Sequence, residues 1–198
     1  MKLFSYVVAR DFGFAPNPYF GVCTLATCKP KIRNSANVGD WVLGTGSATK
    51  KRAGHIVYAM QVSETMSFTE YWNDTRFKLK KPNLFGSKKQ AYGDNIYNQD
   101  AHSNWSQLDS HHSYENGVDN IHNVLNDTQV DRILIGDRFC YWGGAGPQIP
   151  LTVKNYNEEE ICAIRGYKCK FTDKFVTNFE KWLNSCGEWG YLGDPINW

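Results

Sequence analysis

Short β-forming runs joined by turns constrain the fold of this chain more than any other feature of its sequence. Residues 2–9, 41–43 and 55–62 are rich in aromatic and β-branched side chains, and the run at 55–62 alternates with a period of two. No long helical pattern separates consecutive runs, which disfavours the strand–helix–strand units of a parallel sheet. We therefore predict an α+β fold: a curved, mostly antiparallel sheet or a small β-barrel, with short flanking helices and a C-terminal helix.

The second half of the chain carries further local signals. Residues 130–142 have its strongest strand pattern, and Gly136-Asp137 in the middle of that run predicts a hairpin. Residues 161–171 predict another strand. Asp173 is predicted to cap a helix, because apolar side chains follow it at helical spacing. The polar stretch 98–126 is predicted to be one long loop.

Two short helices have recognisable start signals in the first half. Ser67 followed three residues later by Glu70 is a capping box, which predicts a helix over residues 68–73. Pro30 is predicted to occupy the first position of a single helical turn within residues 28–33.

The length and the cysteine content limit the class of protein. A chain of 198 residues fits one domain, so we expect a single domain over residues 1–198. No apolar run approaches the roughly 20 residues of a membrane span, and the first residues lack the apolar core of a secretory signal, which predicts a cytoplasmic protein. The six cysteines lack zinc-site spacing and are expected to be free buried thiols. A metal site or a catalytic thiol are the alternatives, and Cys28 beside Lys29 is the thiol best placed for reactivity.

The formal net charge of +2 conceals an uneven distribution of charge along the chain. Residues 1–92 contain 14 Lys/Arg and 5 Asp/Glu, whereas residues 93–198 contain 8 and 15. This asymmetry predicts a basic face made mostly from the first half. Residues 76–89 interleave basic side chains with aromatic ones, and such a mixture binds phosphates and stacks on bases. The alternative for this segment is a solvated basic loop.

Two other sets of residues are candidates for binding an anion. The strand end at 44–47 combines glycines with hydroxyl side chains, so its backbone donors could approach a phosphate; the alternative is a glycine-rich turn. It lacks the order of a phosphate-binding P-loop, which disfavours a nucleoside triphosphatase. Lys29 and Arg33 would share one face of the predicted helical turn and could hold a phosphate or carboxylate there.

The titratable candidates are spread along the second half. His111-His112 could supply a general base or a metal ligand, and adjacent side chains point apart, so at most one is expected to reach a given site. Asp94-Asn95 and Asp131-Arg132 are polar pairs among apolar residues. The second pair is either a simple ion pair or a carboxylate that orders a ligand hydroxyl or activates water. No set of nucleophile, base and orienting residue can be assembled from the sequence alone.

Several motifs together resemble one known family, the second type of the nucleotide modification associated domain. The motifs are GFAPNP (13–18), CTLATCKPKIR (23–33), GDWVLGTGS (39–47), VYAMQV (57–62), YWND (71–74), GDNIY (93–97), DT (127–128) and DRILI (131–135). The resemblance covers residues 1–150 and implies a bacterial or phage protein in a DNA-modification or defence setting. It implies a nucleotide or modified base as the context, but no reaction. Residues 151–198 are expected to be an addition, a strand and a helix packed on this core.

A looser similarity connects the chain with PUA-like domains, which are small barrels that read modified bases. It rests on VGDWV at 38–42 and the β segment that leads to Val62-Ser63-Glu64. This similarity implies the barrel version of the predicted fold.

The first functional interpretation is recognition of a nucleotide or modified nucleobase, with DNA as a further partner. Aromatic side chains and the 44–47 turn would line the pocket, basic side chains would hold phosphates, and Asp40 or Asp94 would read a base edge or a ribose hydroxyl. No cofactor, metal or membrane is predicted. The expected ligand-binding residues are Asn17, Lys29, Arg33, Asp40, Trp41, Gly44, Thr45, Gly46, Ser47, Tyr71, Trp72, Asn95 and Arg132.

The alternative interpretation is an enzyme that hydrolyses a nucleotide or DNA base, or transfers a group on it. Asp94, His112 and Asp131 are its expected catalytic residues, with Asp127 as another possible base and Cys28 as a possible nucleophile. A module that binds a protein partner through its aromatic side chains is the third interpretation. Because cations and carboxylates would share one pocket, a compact nucleotide site is expected rather than a broad nucleic-acid surface.

Overall fold

The computed structural model describes residues 1–198, which form short strands and helices. The strands are β1 Leu3–Val8, β2 Cys23–Leu25, β3 Trp41–Gly46, β4 Ile56–Gln61, β5 Glu64–Met66, β6 Tyr97–Gln99, β7 Trp105–Gln107, β8 Ile133–Gly136, β9 Arg138–Tyr141, β10 Asn155–Tyr156, β11 Glu159–Glu160, β12 Tyr167–Lys168 and β13 Gly190–Tyr191. The helices are α1 Pro30–Ser35, α2 Phe68–Asn73, α3 Lys88–Ala91, α4 Ile121–Thr128, α5 Leu151–Lys154 and α6 Asp173–Ser185. Four further segments, 48–50, 75–80, 115–117 and 143–145, are 3₁₀ turns.

The chain divides into two compact units. Unit 1 comprises Met1–Asp11, Ala36–Ser63 and Gly136–Trp198, and unit 2 comprises Phe12–Ser35 and Glu64–Ile135. The expectation of a single domain is not tested by this division and stays a prediction.

Unit 1 is built on a six-stranded sheet in the order β12-β1-β3-β4-β9-β13. β1 runs parallel to β3 and β13 parallel to β9, while the other neighbours are antiparallel. Apolar side chains of the sheet pack against α6, whose Phe175, Val176, Phe179 and Leu183 form its buried stripe. That spacing is the amphipathic pattern of a helix that covers a sheet, and it explains why the C-terminal helix could be predicted.

Unit 2 contains a three-stranded sheet in the order β2-β8-β5 and a small β6–β7 hairpin. Its core joins Phe14 and Ala26 to the aromatic side chains of α2 and β6. Phe68 and Tyr71 lie one helical turn apart on α2, so both rings are buried on the same side of this six-residue helix. The short elements of unit 2 thus share one aromatic core.

The predicted α+β class is confirmed, because the sheets are mostly antiparallel and short helices flank them. The capping box at Ser67 and Glu70 forms as predicted and starts α2 at Phe68. Pro30 is the first residue of α1, also as predicted. The alternative of a small β-barrel is wrong, because no sheet closes on itself.

The hairpin predicted within residues 130–142 is wrong. β8 pairs with β5, whereas β9 pairs with β4 and β13, so the two strands belong to different sheets. Only Asp137 separates β8 from β9, and a tight hairpin needs a loop of at least about two residues. The strand-forming residues were identified correctly, but their pairing depends on partners far away in the sequence.

Two other predicted segments also differ from the structure. Residues 161–171 form only the two-residue strand β12, which follows a turn at Gly166, where φ is +69°. The stretch 98–126 is not one loop, because it holds most of the β6–β7 hairpin and the start of α4. Asn120 caps α4 by accepting a hydrogen bond from the backbone of Asn123, a start signal that the sequence displays.

The segment 44–47 is a packed strand end rather than an open anion-binding turn. A Cβ atom on Gly44 would lie 2.4 Å from Cε1 of Tyr58 and 2.6 Å from Cγ2 of Val8. A Cβ on Gly46 would lie 2.5 Å from the backbone oxygen of Arg52. Gly44 and Gly46 are therefore needed for close packing against neighbouring residues. Their surroundings do not support the predicted role in anion binding.

None of the helices combines the length and the apolar character that are needed to span a bilayer.

The packing around Gly44 generates a test of the fold. We expect Gly44→Ala to lower the free energy of unfolding by about 1–3 kcal/mol, because the added methyl group must displace Tyr58 or Val8. Gly144→Ala is the matched control, since its Cβ would have no neighbour closer than 3.7 Å. Urea unfolding of both variants checks the prediction, and equal stabilities would contradict the packing described here.

Candidate functional site

The connection between β2 and α1 holds Cys28 in an unusual backbone conformation. Cys28 has φ +58° and Lys29 has φ +43°, so two consecutive residues other than glycine occupy the left-handed region. Such conformations are costly and persist only where the surrounding structure enforces them. Cys28 is partly exposed, and its backbone N–H donates a hydrogen bond of 2.7 Å to Oδ1 of Asp127.

Asp127 lies in the last turn of α4 and is fully buried. Its Oδ1 accepts from the backbone of Cys28 and from Asn126 at 3.3 Å, and its Oδ2 accepts from the Tyr97 hydroxyl and from Nδ1 of His112, both at 2.9 Å. A carboxylate has about four lone-pair positions, and these four donors satisfy them. The helix brings Asp127 inward together with Val124, three residues earlier on the same face.

His112 connects this carboxylate with the thiol. Its Nδ1 donates to Asp127, and its Nε2 lies 3.7 Å from Sγ of Cys28. Its backbone is held in place on both sides, because its N–H donates to Ser110 Oγ and its carbonyl accepts from the Asn123 amide at 2.8 Å. The side chain of His112 is 16% exposed, whereas that of Asp127 is 1% exposed.

The electrostatics favour a protonated His112. Burial lowers the pKa of His112, but the hydrogen bonds to Asp127 and Cys28 and their negative charge outweigh it and raise the pKa to about 9. The ring is therefore an imidazolium at neutral pH, facing the sulfur on one side and the carboxylate on the other. Burial, together with Asp127, raises the pKa of Tyr97 well above its usual range, so Tyr97 remains a hydrogen-bond donor to the carboxylate.

The three side chains are in contact in the order thiol, imidazole and carboxylate, which is the order that nucleophilic catalysis uses. The same three residues are also a possible metal-ligand set, since their ligand atoms lie within 4.8 Å of one another. Only Sγ of Cys28 and Nε2 of His112 are available to an ion, however, because the Asp127 oxygens have their four donors and Nδ1 of His112 faces Asp127. Two ligands fall short of the three or four that protein zinc sites use. The geometry therefore suits covalent catalysis better than metal binding.

Arg33 holds the backbone of this site together. Its guanidinium is fully buried and donates to the carbonyls of Cys28, Asp127, Val130 and Arg132. Burial lowers the pKa of Arg33, and Asp127 acts in the opposite direction. With four backbone carbonyls as its partners, Arg33 positions the site and does not present its charge to a phosphate.

Aromatic rings border the site on the side of His112. The Phe14 ring lies 4.5 Å from the His112 ring, measured between centroids. The partly exposed Phe12 and Tyr92 rings stack at 5.4 Å, and the exposed His111 ring lies against Phe12 at 4.5 Å. The two adjacent histidines therefore lie in different environments: His112 contacts Cys28 and Asp127, and His111 packs in the aromatic cluster.

A second polar network in unit 2 is closed to solvent. The Lys80 ammonium donates to the backbone oxygen and Oδ1 of Asn17 and to the carbonyl of Val22, at 2.7–3.0 Å. Asp94 accepts from Thr24 at 2.6 Å and from Tyr71 at 2.8 Å. Burial raises the pKa of Asp94 and lowers that of Lys80 to about 8.

The closed network accounts for three predicted site residues. Asn17, Tyr71 and Asp94 are each at most 1% exposed, and their polar groups bond one another or their neighbours. Their role is to hold the core of unit 2 together, and the expected contacts with a ligand do not form at such depth. The pKa of Tyr71 is raised by burial, so its hydroxyl stays a donor to Asp94.

Six of the expected ligand-binding residues belong to unit 1 and are buried there: Asp40, Trp41, Gly44, Thr45, Gly46 and Ser47. Trp41 is fully buried in the core beside Phe179, so its ring cannot stack on a base. Asp40 accepts from the backbone of Lys2 and of Asn37, and the Ser47 hydroxyl bonds to that of Thr49. The Thr45 hydroxyl donates to the backbone oxygen of Tyr6. The polar groups of Asp40, Thr45 and Ser47 therefore have structural partners.

The remaining predicted residues of unit 2 also have structural partners. Asn95 donates to the carbonyls of Tyr71 and Phe77, and Asp131 accepts from the backbone N–H of Phe68, the first residue of α2. Arg132 donates to the carbonyl of Asn34. Trp72 is partly exposed, with the Lys81 ammonium 3.6 Å from its ring centroid. Lys29 is partly exposed beside Cys28, and burial lowers its pKa.

Sequence reasoning named Cys28, His112 and Asp127 separately and did not connect them. The Cys28 and His112 positions are 84 residues apart, and Cys28 and Asp127 are 99 apart. Tyr97 and Asn123, which orient the carboxylate and the histidine, were not identified as functional at all. A signal existed for Asp127, because it stands one helical turn after Val124 on the apolar face of a recognisable helix.

Comparison with known proteins places the chain in one family. The family model described as nucleotide modification associated domain 2 matches residues 1–198. The match includes residues 151–198, so the expectation that these residues are an addition outside the family is wrong. No curated protein matches the chain. No solved structure matches it either.

The His112–Asp127 contact predicts a specific titration behaviour. We expect the His112 ring to titrate near pH 9, and Asp127→Asn to lower that pKa, because the strongest interaction that raises it is lost. Since the folded value exceeds the ordinary 6.5, the stabilisation from this proton is complete below pH 6.5 and is lost as the pH rises through 9. NMR titration of the ring tests this. Asp109→Asn, an exposed acid of the same loop, should leave the titration unchanged, and a wild-type value near 6.5 would refute the ion pair.

The four carbonyls bound by Arg33 predict that lysine cannot replace it. We expect Arg33→Lys to lower the free energy of unfolding by about 3 kcal/mol, because one ammonium cannot span the positions of a planar guanidinium and buried carbonyls lose their donors. Chemical denaturation measures the loss. Lys31→Ala on the exposed side of α1 is the control and should change stability by less than about 0.5 kcal/mol. Equal stabilities of the two variants would count against this role of Arg33.

Proposed function

The chain belongs to the nucleotide modification associated domain 2 family, and we propose that it is a cysteine-dependent hydrolase or transferase that acts on a nucleotide or nucleobase. The family provides the nucleotide-modification context. The class of reaction is argued from the side chains of unit 2.

One observation carries the proposal: the chain of contacts from Cys28 Sγ through both nitrogens of His112 to Asp127. The orientation is the one that covalent catalysis requires, with the base within reach of the nucleophile and the carboxylate on its far side. The site is also accessible at the reacting end, because Cys28 and His112 are partly exposed while Asp127 is buried.

The chemistry proceeds through a covalent intermediate. With the shared proton on His112, the Cys28 sulfur attacks an electrophilic carbonyl carbon of the substrate, and a carbon–sulfur bond forms. The bond to the leaving group then breaks, and Nε2 of His112 gives its proton to that group. Water, or an amine of an acceptor, attacks the resulting thioester, returns a proton to Nε2 and releases the sulfur. Water as the acceptor makes the reaction hydrolysis, and a nucleotide amine makes it transfer.

The surroundings of the site support a nucleobase as part of the substrate. The partly exposed rings of Phe12 and Tyr92 pack with the exposed ring of His111, which lies 5.3 Å from Phe14, and Phe14 contacts His112. Aromatic faces of this kind bind bases by stacking, with little preference for sequence. Base recognition, the first interpretation of the sequence, would therefore take place beside the reacting groups.

The reactivity of Cys28 is the decisive test of the proposal. We expect iodoacetamide to alkylate Cys28 on the order of tenfold faster than the other thiols near neutral pH, because an imidazolium faces its sulfur. Burial raises the pKa of Cys162 to about 11, so that thiol should react slowly. His112→Asn should remove the advantage of Cys28. Peptide mass spectrometry of the alkylated protein gives the site and the rate.

An acyl donor extends the test from reactivity to catalysis. Incubation with p-nitrophenyl acetate should leave one acetyl group on Cys28, which intact mass spectrometry detects and Cys28→Ser abolishes. Cys169→Ser, at another partly exposed cysteine, is the matched control and should retain the acetyl group. Labelling of Cys28 no faster than of Cys169 would refute the catalytic proposal. If Cys28 were unreactive in this test and the parent protein still bound nucleotides, recognition without chemistry would be the function.

A further inference from the structure

A loop of unit 2 presents an aromatic side chain entirely to solvent. The Phe85 side chain is 102% exposed relative to its reference, and its neighbour Leu84 is 47% exposed. Single exposed apolar side chains are ordinary on protein surfaces, but Leu84 and Phe85 are adjacent, and contiguous exposed apolar groups are typical of binding surfaces.

The loop that carries Phe85 is ordered by its own hydrogen bonds. The backbone of Asn83 donates to the carbonyl of Gln90 at 2.9 Å, which closes the base of the loop. The side chain of Asn83 accepts from the backbone of Phe85, and Ser87 and Gln90 form a reciprocal capping box at the start of α3. The backbone that carries the exposed ring is therefore ordered before any partner binds, which reduces the entropy lost on binding.

The charged residues that neighbour Phe85 in the sequence are all basic. No Asp or Glu occurs between residues 75 and 93. Lys88 and Lys89 are exposed on α3, two residues beyond Gly86, and Lys78 is exposed in the preceding 3₁₀ turn. Lys80 is the exception, because its ammonium is buried and bound to Asn17 and Val22. The surface basic groups thus flank the exposed phenyl ring on both sides in sequence.

We infer that residues 83–90 are a contact surface for a nucleic acid strand, in which Phe85 stacks on a base and the lysines of α3 bind phosphates. A combination of an aromatic face with a basic border is what binding to single-stranded nucleic acid uses. The inference deepens the proposed function: it makes the substrate a base within a polynucleotide instead of a free nucleotide. It differs from the compact nucleotide site that the charge distribution alone predicts.

The chain itself connects this surface with the catalytic site. α3 ends at Ala91, and the next residue is Tyr92, whose ring stacks on Phe12 beside the histidines. Residues 83–90 are therefore close in the chain to Tyr92 of the aromatic cluster. A nucleic acid strand bound along these residues would contact the same unit that holds the cluster. A nucleic acid fits the nucleotide-modification context of the family, whereas an anionic membrane surface, which also attracts lysines and an exposed phenyl ring, does not.

Binding of labelled oligonucleotides to the Cys28→Ser protein tests the inference without depending on catalysis. We expect single-stranded DNA or RNA to bind, and Phe85→Ala to weaken binding about tenfold through loss of one stacking contact. Replacing Lys88 and Lys89 with Gln should reduce the dependence of log K on log salt by about 1.4 for a single strand. Fluorescence anisotropy over a range of salt concentrations measures both effects.

Matched controls keep the result specific. Ile164→Ala removes another almost fully exposed apolar side chain, 98% exposed in unit 1, and should leave oligonucleotide binding unchanged. Binding of a nucleoside monophosphate should not respond to Phe85→Ala. Because all these positions are exposed, circular dichroism and thermal unfolding should be those of the parent protein.

The outcomes separate this inference from the proposed function. If Phe85→Ala binds oligonucleotides as tightly as the parent protein, or if only vesicles of anionic phospholipid bind to the loop, the inference is overturned. An unreactive Cys28 with intact, Phe85-dependent oligonucleotide binding would instead remove the catalytic proposal and leave the surface. A reactive Cys28 with no oligonucleotide binding would leave the enzyme and restrict it to free nucleotides.

Discussion

The buried guanidinium of Arg33 is the interaction on which the candidate site depends. It donates to the carbonyls of Cys28 and Asp127, residues 99 positions apart, and thereby joins the strained turn after β2 to the end of α4. A planar group with several fixed donors can satisfy carbonyls that come from different segments, which a single ammonium cannot. Burial of this charge is tolerated because hydrogen bonds replace its lost hydration. The geometry of the thiol and its histidine follows from this backbone arrangement.

Two buried carboxylates in unit 2, those of Asp94 and Asp127, differ in the exposure of the groups that they contact. Asp94 is bound by the hydroxyls of Thr24 and Tyr71, and every member of that network is buried. Asp127 is equally buried, but one of its donors is His112, whose other nitrogen reaches the partly exposed Cys28. Each carboxylate accepts hydrogen bonds at both of its oxygens, as buried polar groups usually do. Of the two carboxylates, only Asp127 is connected through His112 to a partly exposed side chain, that of Cys28.

Local sequence signals anticipated the elements whose causes are themselves local. The capping box at Ser67, the proline that begins α1 and the apolar spacing of α6 each act within a few residues, so they survive in any tertiary context. Pairing of β8 and β9 could not be anticipated in the same way, because each strand finds its partners in a different sheet. Charge counting could not separate surface cations from structural ones for a related reason: Arg33 and Lys80 are hydrogen-bond donors in the core.

By itself, the sequence determined the α+β class, the family, two short helices with their start signals and the C-terminal helix. It also determined the presence of a thiol, a histidine and carboxylates of suitable chemistry. Tertiary structure alone decided that Cys28, His112 and Asp127 meet, while Asp94 and Asp131 serve other contacts. The physical reason is that the interactions involved act over different distances along the chain. Helix caps and hydrophobic periodicity act between near neighbours in the chain, whereas a catalytic chain depends on distances between side chains that loops and long-range packing bring together.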